Sequence, residues 1–420
     1  MKSRCHQSLL QNPKVEVIYF AKQCKKRETG GHFWHDGVNQ NDTVNACSMN
    51  NTKPEMIMHR WNVIQHELIP AMREQVGTLT PKLERLIHTL EWVRIEEFTK
   101  SAWCGIGRPP AERAWLANAF VAKSVLGLGN TRMLIERLQI DRSLRRICGF
   151  SMYVTLPSES TFSRAFEEFA TSCLAERVHE ALIKEHLGEQ LIGHISRDGT
   201  AIPARERPFK SQARYDRSAP KAKPAKRGRP RRGEVRPPAK ESALKIQRNQ
   251  TLKQMRNDIP QACDRGTKCN AQGFKTSWNG YKLHIDTADC GVPISALLSS
   301  ASVHDSRACI PLALMSQQRV SNLYDVMDAA YCSKDLREHS SSLGHVPLID
   351  HNPRGGEKIE FCPAQAVRYN ERTVAERSNA RLKDEFGARN LMVKGASKVM
   401  GHLMFGVLAL SADQLMRLRQ

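Results

Sequence analysis

Apolar residues recur at steps of three and four from His59 to about Glu189. Leu83, Leu86, Ile87, Leu90 and Val93 form one such run, and Leu116, Ala119, Phe120 and Val125 another. This period predicts amphipathic helices. Gly107-Arg108-Pro109-Pro110 punctuates the series, and Pro110 suits the start of the next helix. Ser158 stands where an N-cap is expected, before ESTFSRAFEEFA. Residues 58–190 are therefore expected to form a small all-helical domain. It is either a plain bundle or a bundle carrying a helix-turn-helix, with the polar opening Ser158, Ser160, Thr161, Ser163 and Arg164 turned to DNA.

The period changes at Leu191. LIGHISRDGTAI alternates and predicts a strand. GYKLHIDTA and VPISALLSSASVHD predict two more, joined by a turn around Asp289-Cys290-Gly291. Then follow a helix over 306–318, a strand LYDVMDAAY, a helix over 333–343, a strand HVPLID and one helix over 363–386. The apolar segment KVMGHLMFGVLALSADQLMRL closes the chain as a last helix. Strands mixed with helices in this order predict an α/β domain over 191–420, a mixed sheet flanked by helices. His304-Asp305 is expected to cap the helix that begins near Ser306, with a direct part in catalysis as the lesser reading. Trp278 and Tyr281 are expected to pack beside a strand.

Composition narrows the function. The 420 residues carry 64 Lys and Arg against 43 Asp and Glu, a net charge of +21. Such an excess points to a polyanionic partner. No uninterrupted apolar run approaches 18 residues, so no membrane span is expected. The 12 cysteines form no Cys-x-x-Cys pair and read as reduced thiols of a cytosolic protein. Residues 1–57 show no sustained period. They read as a disordered tail or an upstream extension of the reading frame, with Met56 and Met58 as alternative starts.

A basic insertion interrupts the α/β domain at about 205–262. Residues 205–256 hold 18 Lys or Arg against four acids, and seven prolines fall between 203 and 238. Such a stretch is expected to be a solvated arm on nucleic acid. Within KRGRPRRG, the Arg227-Gly228-Arg229-Pro230 core resembles an AT-hook, which lays Arg into a narrow minor groove. Phosphate binding without sequence preference is the other reading, and the one the composition favours.

Three acids stand out by position. Asp198 ends the first predicted strand, Asp328 the fourth, and Glu376 lies in the helix after the fifth. Carboxylates on neighbouring strand ends and a nearby helix can meet at one edge of a sheet, where hard oxygen ligands suit Mg²⁺. Two such ions would orient a phosphodiester and activate water. Asp325 competes with Asp328, but strand alternation turns it to the opposite face. Tyr369, Arg372, Glu376 and Lys383 are spaced so that a continuous helix would hold them within about a 60° arc. One stripe would then carry a phenol, a guanidinium, a carboxylate and an ammonium.

These residues carry a resemblance. Tyr369-x2-Arg372-x3-Glu376-x6-Lys383 resembles the YREK signature of bacterial insertion-sequence transposases of the DDE superfamily. DGTAI around Asp198 and DAAY around Asp328 resemble that family's first two acidic motifs. The likeness covers about residues 58–420. It implies a ribonuclease-H-like catalytic domain that moves DNA by end cleavage and 3′-OH joining, in the bacterial cytoplasm on the nucleoid. It implies Asp198, Asp328 and Glu376 as ligands of two Mg²⁺ (or Mn²⁺) ions. Tyr369 and Arg372 would contact transposon-end phosphates, Lys383 the DNA near the cut, and Arg227 and Arg229 DNA through the arm. The implied partners are transposon-end and target DNA and further copies of the chain in a synaptic complex. The alternatives are a DNA-binding protein without catalysis and a nuclease that cuts without joining.

Overall fold

The computed structural model describes residues 61–99, 110–208, 241–269, 272–353 and 356–419. The terminal segment 1–57 and the Arg227-Gly228-Arg229-Pro230 core lie outside the described residues. Two units divide the chain, 1–71 and 72–420. In the first, residues 61–71 are helical, with a π turn over Ile64–Leu68. Helix α1 is Ile69–Val76.

In the second unit the helical run predicted by apolar spacing is present. It comprises α2 (Pro81–Val93), α3 (Arg113–Val125), α4 (Thr131–Ile140), α5 (Arg142–Ile147), α6 (Glu159–Thr171) and α7 (Leu174–Leu187). Thr80 caps α2 through its side chain, and Pro81 fills the first turn, where no donor is needed. Leu83, Leu86, Ile87, Leu90 and Val93 are all buried. Pro110 does not open α3, which starts at Arg113 after an uncapped Glu112. Ser158 does occupy the N-cap position of α6. Its hydroxyl is engaged by Ser160 (2.9 Å) and Thr161 (3.1 Å) and caps no backbone N–H.

The α/β part contains β1 (Leu191–Pro203), α8 (Ala243–Arg248), α9 (Leu252–Asp258), β2 (Asp264–Cys269), β3 (Lys275–Ala288) and β4 (Pro293–Ser300). It continues with α10 (Ser306–Gln317), β5 (Ser321–Met327), α11 (Lys334–Ser342), β6 (Val346–Ile349), α12 (Pro363–Asn370), α13 (Thr373–Asp384) and α14 (Ala396–Arg417). The six strands form one mixed sheet in the order β2-β3-β1-β5-β6, with β4 paired to β3. β1 runs antiparallel to β3 and parallel to β5, placing Asp198 opposite Ile285 and Arg197 beside Met327. The turn after β3 uses Gly291 at φ +80°, where a side chain would be strained.

Two expectations change here. First, the insertion does not stay irregular to residue 262. Residues 243–258 form α8 and α9, with Thr251 and Gln254 in a capping box. Met255 and Ile259 are buried, so this end of a basic stretch has enough apolar anchors to pack. The strand β2 that follows was not anticipated, because DRGTKC alternates too little apolar character to show as one. Second, the helix expected over 363–386 is two helices. Between them Glu371, Arg372, Val374 and Ala375 donate to carbonyls three residues back. β-Branched Thr373 and Val374 follow Arg372, and the Thr373 hydroxyl bonds the Asn370 carbonyl (3.3 Å), both of which weaken the α-helical ladder there.

The last helix, α14, is long and apolar enough to cross a bilayer by length and composition alone. It is a core helix, with 83% of its apolar window buried inside the protein. It packs on α2, α3, α6 and α7 as well as on β4 and α13. Phe405 meets Phe120 and Phe166. Gly401 permits close approach to α6, since a Cβ there would lie 3.0 Å from that of Ala170.

Candidate active site

The site is built where the parallel pairing of β1 with β5 stops. Asp198 does not end β1 as expected but lies mid-strand, one residue past Arg197, the last to pair with β5, because β1 runs on to Pro203 along β3. Alternation along β1 sends Arg197 and Asp198 to opposite faces. Arg197 is fully buried. It forms a two-pronged ion pair with Asp286 on β3 (2.7 and 2.8 Å), and its third nitrogen approaches the sulfurs of Cys309 and Met327. Asp325 shares this buried side, held by Ser340 (2.6 Å) and His345 (3.2 Å). It is buried first of all, but these hydrogen bonds and the Arg197 charge keep its carboxyl below the usual range. Asp325 is thus committed to the core.

Asp198 faces α13 instead. Asn379 donates to its Oδ2 at 2.9 Å. Burial and the charge of Asp328 push its carboxyl up to about 6, against the pull of Arg372 and Asn379. Asp328 directly follows β5, because the strand expected to run on to Tyr331 stops at Met327. Its side chain caps the short 3₁₀ turn Ala329–Tyr331 through the Ala330 N–H (3.0 Å). Burial raises Asp328 too, with Asp305 adding to the effect and Arg372 and Lys268 opposing it. Among the described residues neither Asp198 nor Asp328 forms an ion pair. Two desolvated carboxylates, one raised by the charge of the other and neither in an ion pair among the described residues, are a donor set suited to a hard divalent ion.

Glu376 behaves differently. It is 52% exposed at its side chain, and Arg372 donates to its Oε1 at 2.6 Å. Among the described residues no three His, Cys, Asp or Glu side chains form a group able to hold a metal ion. Arg372 acts on all three acids, its charge lowering Asp198 and Asp328 while its side chain bonds Glu376. Tyr369 lies on the last turn of α12, stacked on Phe361 (4.8 Å) with Arg372 over its ring (5.9 Å). Lys383 is on the last turn of α13; burial lowers its ammonium, as does Arg389, while Asp198 raises it. The stripe of four therefore bends at Arg372, yet its members still reach one region.

Several neighbours of the pair were not singled out by sequence. Asn379 lies three residues beyond Glu376, so its shared helix face was readable. Lys268 was not, because β2 itself was not. Asp305 was assigned to capping α10, and it makes no cap bond. Its Oδ1 accepts from Lys282 (3.0 Å), and His304 bonds Ser306 at the helix start instead (2.8 Å). Trp278 and Tyr281 pack as expected. The Trp278 ring N–H donates to the Tyr281 carbonyl, and the Tyr281 hydroxyl to Glu206.

A mixed sheet with antiparallel β4-β3-β1 and parallel β1-β5-β6, flanked by helices, with two aspartates just past the paired part of β1 and β5, is the arrangement of a ribonuclease-H-like domain. The chain belongs to the family described as Transposase DDE domain, which matches residues 194–412. A second family, described as Transposase domain (DUF772), matches residues 70–168. No curated protein and no solved structure matches the chain.

Proposed function

We propose that this transposase cuts DNA at transposon ends and joins the freed 3′-OH to target DNA, with Asp198 and Asp328 as the central ligands of two divalent ions. One observation carries the reading: two desolvated carboxylates, in no ion pair among the described residues, sit one residue past the last paired positions of adjacent parallel strands, within the fields of Arg372, Lys383 and Lys268. Asp198 and Asp328 would hold Mg²⁺ or Mn²⁺, which would supply Lewis-acid activation of water or the 3′-OH and neutralise phosphate charge. Asn379 keeps Asp198 aimed at that position. Arg372 and Tyr369 receive an end phosphate, and Lys383 the DNA beside the cut, in the manner of the YREK branch.

Glu376 is the third acid of the set. Its pair with Arg372 is a partly exposed one of the i,i+4 kind, worth roughly 0.3–0.5 kcal/mol. A phosphodiester competes well for a guanidinium. Its arrival draws Arg372 away and frees Glu376 to turn toward Asp198 and Asp328. Arg227 and Arg229, on the basic arm, add DNA contacts of their own, and synapsis of two ends calls for more than one copy of the chain. The helical part over 58–190 binds DNA and the part over 191–420 performs the chemistry.

A second reading, DNA binding without cleavage, draws on the Glu376–Arg372 pair as a settled ion pair. One experiment separates them. Cleavage of a duplex bearing the element's end, with Mg²⁺, is lost in Asp328→Asn while binding of the same duplex stays near that of the unchanged protein. Undiminished cleavage by Asp328→Asn refutes the ion-ligand role, and absence of cleavage by the unchanged protein favours the second reading.

A further inference from the structure

Asp305 reaches the same sheet end from the N-terminus of α10, and three observations around it point to something bound there. The Lys282 ammonium on β3 holds its Oδ1 at 3.0 Å. His284 is fully buried; its Nε2 meets Ser299 Oγ at 2.8 Å, while its Nδ1, 3.9 Å from that oxygen, has no hydrogen-bond partner among the described residues. The Tyr331 hydroxyl, in a side chain 1% exposed, likewise has no partner among them, and it lies within the fields of Asp305, Asp198 and Asp328. Gly199, next to Asp198, leaves this space open: a Cβ there would come within 3.0 Å of His284 Nδ1 and 3.1 Å of Asp305 Oδ1.

Buried polar atoms without partners are rare, and water is what most often satisfies them. Mg²⁺ gives up its water reluctantly and is usually held by one or two carboxylates, keeping several waters that themselves need acceptors. Asp198 and Asp328 provide two carboxylates, and among the described residues no third acid stands with them as a direct ligand.

We propose that Asp305 is an outer-sphere residue of the ion site, its carboxylate accepting hydrogen bonds from the water shell of a divalent cation held by Asp198 and Asp328, with the Tyr331 hydroxyl donating into the same shell. Lys282 keeps that carboxylate in place and partly neutralised when the cation is absent. Asp305 is in this sense a positioning residue: it acts on the cation through water. The inference rests on the proposed role of Asp198 and Asp328.

The test is calorimetric titration of the full chain with Mn²⁺, without DNA, alongside melting curves taken without the ion. Asp305→Asn is expected to weaken Mn²⁺ binding about 10- to 100-fold, the usual effect of removing an outer partner. Tyr331→Phe, which keeps the ring in the core, weakens it in the same direction. Lys282→Gln, which frees the carboxylate, leaves binding unchanged or tighter. If the Lys282–Asp305 pair were only structural, Lys282→Gln and Asp305→Asn would weaken binding alike, and that result overturns the inference. So does unchanged affinity in Asp305→Asn, or in Tyr331→Phe should Asp305→Asn fail to fold. Loss of Mn²⁺ binding in Asp328→Asn combined with full binding in Asp305→Asn overturns this inference alone. No Mn²⁺ binding by the unchanged protein, or full binding by Asp328→Asn, overturns the ion-ligand reading beneath it.

Discussion

Asn379 donates a hydrogen bond to Asp198 at 2.9 Å, across 181 positions of chain. This bond ties α13 to β1, so the helix bearing Glu376 and Lys383 and the strand bearing Asp198 are set as one piece. It also leaves one oxygen of Asp198 free of that donor. Hydrogen bonds to a metal-binding carboxylate fix its direction, and losing one typically costs about 10- to 100-fold in affinity or activity. Asn379→Ala is expected to slow single-turnover end cleavage about tenfold at low Mg²⁺, with partial recovery at high Mg²⁺. DNA affinity, measured by gel shift, stays the same. A loss of DNA binding in equal measure would place Asn379 against the DNA instead.

Arg197 and Asp286 form the buried counterpart of the site, on the opposite face of the sheet. Removing one member of a buried pair leaves an uncompensated charge, at about 3–5 kcal/mol, while replacing both with apolar residues is often neutral. Arg197→Met should therefore lower the stability measured by urea unfolding by an amount in that range. Arg197→Met combined with Asp286→Leu should recover much of it. A single variant as stable as the double one would show that the pair holds no charge in the folded state.

Lys123 is buried between α3 and α14, with His402 Nδ1 3.2 Å away. Burial lowers its ammonium to about 8. A base depressed on folding loses its proton more easily in the folded state, so the unfolded chain binds more protons between about pH 8 and 10.5. Stability contributed through this group accordingly rises as pH increases across that window and is lowest below it. Lys123→Met is expected to raise the melting temperature at pH 7, by roughly 1–3 kcal/mol in stability, and to bring much less at pH 10. Equal gains at both values would mean that packing, not charge burial, is responsible.

The basic arm lends itself to a salt titration. Deleting residues 221–240 removes nine cations: Lys221, Lys223, Lys226, Arg227, Arg229, Arg231, Arg232, Arg236 and Lys240. For every phosphate that no longer meets a cation, the slope of log affinity against log salt falls by about 0.9. DNA binding is expected to weaken and its salt dependence to flatten. An unchanged slope would mean that the arm does not touch the phosphates.

The helices before β1 were legible because their apolar stripes keep the 3.6-residue period and pack on one side. Five strands were legible for the matching reason. β2 was not, since DRGTKC carries too little alternation to register, and Lys268 went unnoticed with it. The bend at Arg372 escaped notice because no Pro or Gly marks it; it lies in hydrogen bonds that shift from four residues back to three. Asp305 was placed as a helix cap by its position, while its actual partner, Lys282, is 23 residues earlier on another strand.

Local order thus follows from the sequence by itself: the periods that make helices and strands, the excess of positive charge, and the acids Asp198 and Asp328 on the first and fourth predicted strands. Those features depend on near neighbours in the chain, whose geometry is set by backbone sterics and burial. Only the tertiary structure decided which acids share a solvent-poor pocket, which are taken up by Arg197, Lys282 or Arg372, and which buried hydroxyl is left without a partner. Pairing across the sheet joins residues more than a hundred positions apart, and the strength of each charge depends on the water excluded around it.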